Sequence, residues 1–209
     1  MSQRIIGITG GIASGKTTVA NYLTQKYFLP TFDADIYARQ ALEGEVLSSI
    51  FRRYQVKVLP DNLIFQAQTL GKVQADLDRS KLGKIIFSDR LEKQWLENLL
   101  HPLVRDRLII DLKAHFAEPI LVAVIPLLFE VGWQDLVTET WLVYCPAALQ
   151  RQRLMQRNQL TPKDAQLRLD SQMQIEDKLK LADLAIDNSV SFELDLLYAQ
   201  VDRAMLATG

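Results

Sequence analysis

Cysteine is nearly missing from this chain. Cys145 stands alone among 209 residues, which excludes an internal disulfide and suits a reducing compartment. It follows Trp141-Leu142-Val143-Tyr144, so it reads as a small buried hydrophobe. Histidine is almost as scarce. His101 and His115 are the only two, and with one cysteine they cannot assemble a zinc site. Neither sign of charge dominates: Lys and Arg number 24, Asp and Glu 25, and the net charge is −1. No global basic field therefore points to nucleic acid or to a membrane surface. The longest apolar run, Ile120 to Phe129, contains Pro126 and falls well short of the roughly 20 residues that span a bilayer. The start lacks the charged-then-apolar layout of a signal peptide, and no repeat or low-complexity segment is visible. The expectation is a soluble cytoplasmic protein with no nucleic acid and no membrane among its partners. Its oligomeric state is left open.

The stretch that organises the chain is Gly10-Gly11-Ile12-Ala13-Ser14-Gly15-Lys16-Thr17. It fits G-x-x-x-x-G-K-T, in which backbone N–H groups cradle phosphate oxygens, the lysine reaches the β- and γ-phosphates and the threonine hydroxyl ligates Mg²⁺. The flanks agree with it. Arg4-Ile5-Ile6-Gly7-Ile8-Thr9 is an apolar, β-branched strand, and Thr17-Thr18-Val19-Ala20-Asn21-Tyr22-Leu23 opens a helix with Val19 and Leu23 on one face. A helix N-terminus adds partial positive charge to the same site. The cofactor-binding residues expected on this basis are Gly11, Ile12, Ala13, Ser14, Gly15, Lys16, Thr17 and Thr18. The ligands are ATP and Mg²⁺, with Thr17 the metal ligand.

A short second strand is expected over Phe28-Leu29-Pro30-Thr31-Phe32, ending at Asp33-Ala34-Asp35. Ligands of doubly wound sheets lie beyond the carboxyl ends of strands. Asp33 and Asp35 therefore fall where the P-loop lies, with one carboxylate available to cap the helix starting near Ile36. From Ile36 to about Glu118 there is no second Gly-rich motif and no convincing strand; Gly44, Pro60-Asp61-Asn62 and Gly71 punctuate it. Asp89-Arg90-Leu91-Glu92 has the form of a capping box. A stripe of Leu91, Trp95, Leu99 and Leu100 follows, and His101-Pro102 is expected to interrupt it and start a new helix carrying Val104, Leu108 and Leu112. Ile120 to Ile125 reads as a strand buried on both faces, and Thr140 to Tyr144 as a fourth. Pro146 opens a helix with Arg151, Arg153 and Arg157, and Thr161-Pro162-Lys163-Asp164 starts another. Joined at Asn158-Gln159-Leu160, the two form a movable flap. Leu184 to Asp187 is a fifth strand, and Ser191 is a candidate cap for the last helix.

The elements add up to an α/β three-layer sandwich with a five-stranded parallel sheet. The P-loop core comprises 1–35, 119–145 and 176–209, with a helical acceptor lobe at 36–118 and a lid at 146–175. Among P-loop proteins, a GTPase needs N-K-x-D, but the chain has no Asn-Lys pair and no Asp-x-x-Gly. A motor or transport ATPase needs an acidic residue ending a buried strand. Here the third strand runs into Pro126, and Asp187 is a weak candidate. A small-molecule kinase remains, needing a phosphate cradle, Mg²⁺, a group near the acceptor hydroxyl and cations on the transferring phosphoryl. Asp33 suits the acceptor. The arginines of 151–168 suit the phosphates or form a solvated helix face. Another P-loop kinase, for a nucleoside or nucleotide, fits the same core and lid, and a non-catalytic ATP-binding protein fits the same motifs.

Taken in order, Ile8-Thr9-Gly10-Gly11-Ile12, Asp33-Ala34-Asp35 with Arg39, Leu77-Asp78-Arg79, Leu82-Gly83, His101-Pro102 with Arg105, Pro126-Leu127-Leu128-Phe129-Glu130, Gln150 with Arg153 and Arg157, and Ala182-Asp183 with Asp187-Asn188 resemble the dephospho-CoA kinases from about residue 4 to about 205. The resemblance implies transfer of the ATP γ-phosphate to the ribose 3′-hydroxyl of dephospho-CoA. It implies a CoA-binding helical lobe and an arginine-bearing lid. Asp33 falls at the acceptor-activating position and, with Arg39 and Arg105, on the substrate side. Arg153 falls on the ATP side, and Asn188 near the adenine. Two positions depart from the pattern: Ala13 stands where glycine is frequent, and so does Val190. His101, Arg105 and Glu130 each fit a ligand contact or a structural one.

Overall fold

The computed structural model describes residues 3–60, 77–190 and 193–207. Five strands form one parallel sheet: β1 (Arg4–Thr9), β2 (Thr31–Asp33), β3 (Ile120–Val124), β4 (Glu139–Tyr144) and β5 (Leu184–Asp187), in the spatial order β2-β3-β1-β4-β5. Consecutive residues Leu121 to Val124 and Trp141 to Val143 are all buried. The strands therefore present apolar groups to both faces, as a parallel sheet covered by helices requires.

Helices α1 (Lys16–Tyr27) and α9 (Leu194–Ala207) close one face. Val19, Ala20 and Leu23 from α1 and Leu197, Val201 and Ala204 from α9 meet Ile6, Ile8, Val122, Val124, Trp141, Val143 and Ile186. The two helices are also fastened at the surface. Tyr22 stacks on Tyr198 with ring centroids 3.9 Å apart, and Asp202 accepts from Tyr22 Oη, Tyr27 Oη and Lys26 Nζ. That anchors the helix whose first turn belongs to the P-loop.

The second strand starts later than the sequence suggests. Phe28 C-caps α1 with φ 56°, a left-handed conformation that cannot belong to a strand, so β2 begins only at Thr31. The cap at Thr161 forms as expected; at Asp89 only the N-cap half of the expected capping box forms, the Glu92 carboxylate turning instead to Arg53 and Tyr54. Thr161 Oγ1 accepts from Asp164 N, with Pro162 opening α7 (Pro162–Asp170), and Asp89 Oδ1 accepts from Leu91 N. The expected break at His101-Pro102 does not occur. Helix α5 runs from Arg90 to Ala114 with Pro102 inside it. An interior proline costs on the order of 3 kcal/mol, but apolar positions continue at helical spacing through Val104, Leu108 and Leu112, all buried. Their burial offsets that cost.

The chain divides into two compact units, Met1–Asp35 with Asp106–Gly209, and Ile36–Arg105. The second contains the remainder of α2 (Ala34–Gln40), α3 (Gly44–Tyr54), a 3-10 turn at Gln55–Val58, α4 (Arg79–Ser88) and the first part of α5. Among its described residues there is no strand. Val46, Ile50, Tyr54, Val58, Leu82 and Ile86 form its core. Glu92 binds Arg53 and Tyr54, which hold its carboxyl down at about 2. Asp78, from the Leu77-Asp78-Arg79 motif, N-caps α4 through Ser80 N and Lys81 N. Expected breaks at Asp61-Asn62 and Gly71, and a cap at Ser191, lie outside the described residues. No described helix is long and apolar enough to cross a membrane.

Candidate active site

The loop Gly10–Gly15 joins the carboxyl end of β1 to the first turn of α1. Two glycines are required there by space as well as by conformation. Gly10 has φ 148°, and a Cβ on it would stand 2.1 Å from Val143 O; Gly15 has φ 105°, and its Cβ would stand 2.1 Å from Asn188 Nδ2. Asn188, the residue after β5, is buried and donates from Nδ2 to Ser14 O at 2.8 Å. Its own N–H bonds to Tyr144 O at 2.8 Å. The neighbouring strands thus brace the loop from beneath. Gln150, buried in α6 (Ala147–Asn158), donates to Cys145 O and leaves its Oε1 beside Gly11.

Ala13 adopts φ 59°, a left-handed conformation that costs a residue with a Cβ about 1 kcal/mol. The strain sits in the phosphate loop itself, where strained backbone commonly collects. Ala13→Gly should raise unfolding stability by roughly 0.5–1 kcal/mol. A lower urea midpoint in the variant would contradict that.

Lys16 Nζ donates to Gly10 O and Gly11 O, both at 2.9 Å. Burial pushes its pKa down to about 8, against the carboxylates of Asp35 and Asp33 and with the help of the cations Lys178 and Arg157. Thr17 lies exposed in the first turn of α1. Asp33 ends β2. The register runs Asp33↔Val124 and Ile8↔Val124, so Asp33 is level with Ile8 across β3, two strand spacings or about 10 Å away. Asp33 Oδ1 accepts the Asp35 N–H at 2.8 Å. Asp33, not Asp35, therefore makes this cap contact, because α2 begins at Ala34, two residues sooner than the sequence suggests. Asp35 instead lies in the first turn, and of the two carboxylates it acts the more strongly on Lys16.

The arginines of α6 and α7 divide. Arg153 is turned to the strand ends, donating to Asn188 O at 3.1 Å and contacting Cys145 Sγ. Arg157 is the arginine whose charge acts on Lys16, and it also lowers the pKa of Arg168, after burial. Arg39 lies in the last turn of α2 and Arg105 within α5, both in the second compact unit. His101 is half-buried in α5, and burial lowers its pKa. Glu130 pins a loop: its Oε1 accepts Met173 N–H at 3.1 Å and pairs with Lys178 Nζ at 2.7 Å. Asp183 is structural, accepting from Thr140 N and Oγ1 where β4 and β5 begin. Asp187 Oδ1 accepts from Ser189 N, an Asx turn.

Lys178 is the residue that sequence reasoning missed. It has no exposed surface, in helix α8 (Ile175–Leu181), while Leu179 and Leu181 beside it are 38% and 50% exposed. A lysine in Asp177-Lys178-Leu179-Lys180 reads as a solvated one, and no local pattern marks it as buried.

The dephospho-CoA kinase family model matches residues 4–193. The chain belongs to this family. A dephospho-CoA kinase from Nostoc sp. is 50% identical over 208 residues, covering 98% of each chain. One from Synechococcus elongatus is 45% identical over 97% of this chain and 91% of its own. Among solved structures, a dephospho-CoA kinase from Campylobacter jejuni superposes with TM-score 0.65 at 31% identity, covering 98% of this chain and 96% of that one. A Thermus thermophilus protein does so with TM-score 0.74 at 31% identity over the full length of both. The ordered motifs, the five-stranded sheet and the P-loop of this dephospho-CoA kinase family member thus agree.

Proposed function

We propose that the chain transfers the γ-phosphoryl group of ATP to the ribose 3′-hydroxyl of dephospho-CoA, giving CoA and ADP, with Asp33 as the group that orients and deprotonates the hydroxyl. The observation that supports this reading is the strand register, in which Asp33 and the start of the P-loop both lie at the carboxyl ends of the strands. The loop N–H groups from Gly11 to Thr18 cradle the phosphates and Lys16 neutralises them. Arg157 is assigned to the transferring phosphoryl in place of Arg153, which braces Asn188. Asn188 supports the loop near the adenine, and Arg39 and Arg105 take the acceptor's phosphates.

Among the described residues no group of three His, Cys, Asp or Glu could hold a metal. Thr17, exposed in the first turn of α1, would hold Mg²⁺ carried in on the nucleotide, since Mg²⁺ keeps water and phosphate ligands. When bound it neutralises charge between the β- and γ-phosphates. We place the protein in the cytoplasm, consistent with its single buried cysteine.

The direct test is ADP release with dephospho-CoA, with AMP and with no acceptor. Rapid release only with dephospho-CoA is expected, and equal rates with AMP would refute the assignment. Charge at Lys16 adds a pH dependence. A bound triphosphate favours the protonated amine, so binding takes up a proton once the free amine has lost its own. Affinity for a non-hydrolysable ATP analogue should fall as pH rises through about 8, roughly tenfold between about pH 7.5 and 9.5. A flat profile in titration calorimetry would contradict it.

Residues 146–175 are proposed to close over the nucleotide as a lid, excluding water that would hydrolyse ATP. Hydrogen exchange should show added protection in α6 and α7 with the analogue bound. No change there would count against closure.

A further inference from the structure

Gln172 lies in the connection between α7 and α8, half-buried. Its Oε1 accepts the backbone N–H of Ile12 at 2.8 Å. Ile12 is the third residue of the P-loop motif, and the N–H groups of such loops are the donors that meet phosphate oxygens. The contact is held from behind. Met173, next in the chain, donates its N–H to Glu130 Oε1, and the same oxygen pairs with Lys178 Nζ at 2.7 Å. Lys178 is fully buried, and its Nζ also reaches Pro126 O at 3.4 Å, just beyond β3. Thr9 Oγ1, at the end of β1, donates to that same carbonyl at 3.2 Å. An ion pair whose lysine is fully buried, tied through Pro126 O to two strand ends, therefore fixes the segment that aims Gln172 into the loop.

We propose that Gln172 is a phosphate-competing residue, whose side-chain carbonyl occupies a cradle donor and must leave it when the triphosphate seats. One N–H serves one acceptor well. A phosphate oxygen forms the stronger, charge-assisted bond, so the nucleotide displaces Gln172. The displaced bond reduces the affinity gained, by about fivefold for an ordinary hydrogen bond. The same competition lets Gln172 return to Ile12 as nucleotide leaves, which favours product release, a step that often limits turnover. The inference rests on the chain's being a nucleotide-binding kinase and names a residue that sets how tightly it holds phosphate.

The test uses the full chain with Gln172→Met, which keeps the length and loses the acceptor, and Gln172→Ser, which is too short to reach Ile12. Binding of a non-hydrolysable ATP analogue with Mg²⁺ and of inorganic tripolyphosphate is measured by calorimetry, and urea unfolding is followed without ligand. Both variants should bind both probes about fivefold more tightly, while their unliganded urea midpoints do not rise. Tripolyphosphate carries no adenine, so tightening there locates the gain at the phosphates. Unchanged or weaker binding of both probes in a variant that unfolds cooperatively would overturn the proposal, since Gln172 would then support the cradle or ignore it. Failure of the kinase reading looks different: the wild-type chain itself would bind neither probe.

Discussion

Asp33→Asn is expected to lower kcat on the order of 10²–10⁴-fold, the range for a positioned acid or base, with nucleotide affinity nearly intact. The acceptor is a secondary hydroxyl, a poor nucleophile that must lose its proton as the phosphoryl group arrives. A carboxylate at the end of β2 can align that oxygen and accept the proton late in a loose transition state. The cap contact makes the substitution clean. Asp33 Oδ1 accepts the Asp35 N–H, and an asparagine oxygen caps about as well, so the helix start survives while charge and basicity are lost. Asp33→Ala should add a stability loss of about 1 kcal/mol to the same catalytic defect. Asp35 is no silent control, because its charge acts on Lys16 more strongly than that of Asp33; Asp35→Asn should change nucleotide affinity more than kcat. Normal turnover in Asp33→Asn with a dead Asp35→Asn would exchange the two roles.

Lys16→Ala is expected to cost on the order of 10²–10³-fold in kcat, as for loss of one preorganised charge donor, and to leave acceptor binding much less affected. Lys16 bridges Gly10 O and Gly11 O, so its ammonium stands over the loop that receives the phosphates. On the proposed reading its interaction would strengthen as charge shifts on the phosphoryl group, and only such interactions raise kcat. Removing a half-buried cation whose charged form desolvation disfavours should cost little stability, which separates a catalytic defect from misfolding. A folded Lys16→Ala variant with unchanged kcat would mean that the cradle acts otherwise.

What could be read from the sequence follows from where the signal is local. Strands β1, β3 and β4 were legible because parallel strands buried on both faces leave continuous apolar runs, β5 because a short apolar run precedes Asp187 although Ala185 and Asp187 are exposed at the sheet edge, and the P-loop because its glycines answer to backbone geometry that other residues tolerate poorly. Thr161-Pro162 was legible because caps are local. Starts and interruptions were harder. Phe28 takes a left-handed conformation that its side chain does not announce, and Pro102 stays inside α5 because tertiary burial on either side outweighs its local cost. The site residues lost in reading were those defined by distant partners. Lys178 is buried because Glu130 stands opposite it, 48 positions earlier in the chain by their numbers. Gln172 meets Ile12, 160 positions earlier in the chain, and nothing local shows that Arg153 is the α6 arginine turned to Asn188 O. Ala13 could be seen to depart from a glycine pattern, but its conformation, φ 59°, is what turns that departure into strain.

The most direct measurement follows the phosphoryl group itself. The protein is incubated with γ-labelled ATP, Mg²⁺ and dephospho-CoA, and the labelled product is treated with a phosphatase specific for 3′-nucleotides. Label should appear in CoA in step with ADP and be released entirely by that enzyme. Label that stays on the product after the treatment, or that appears as inorganic phosphate from the outset, would contradict transfer to the 3′-hydroxyl.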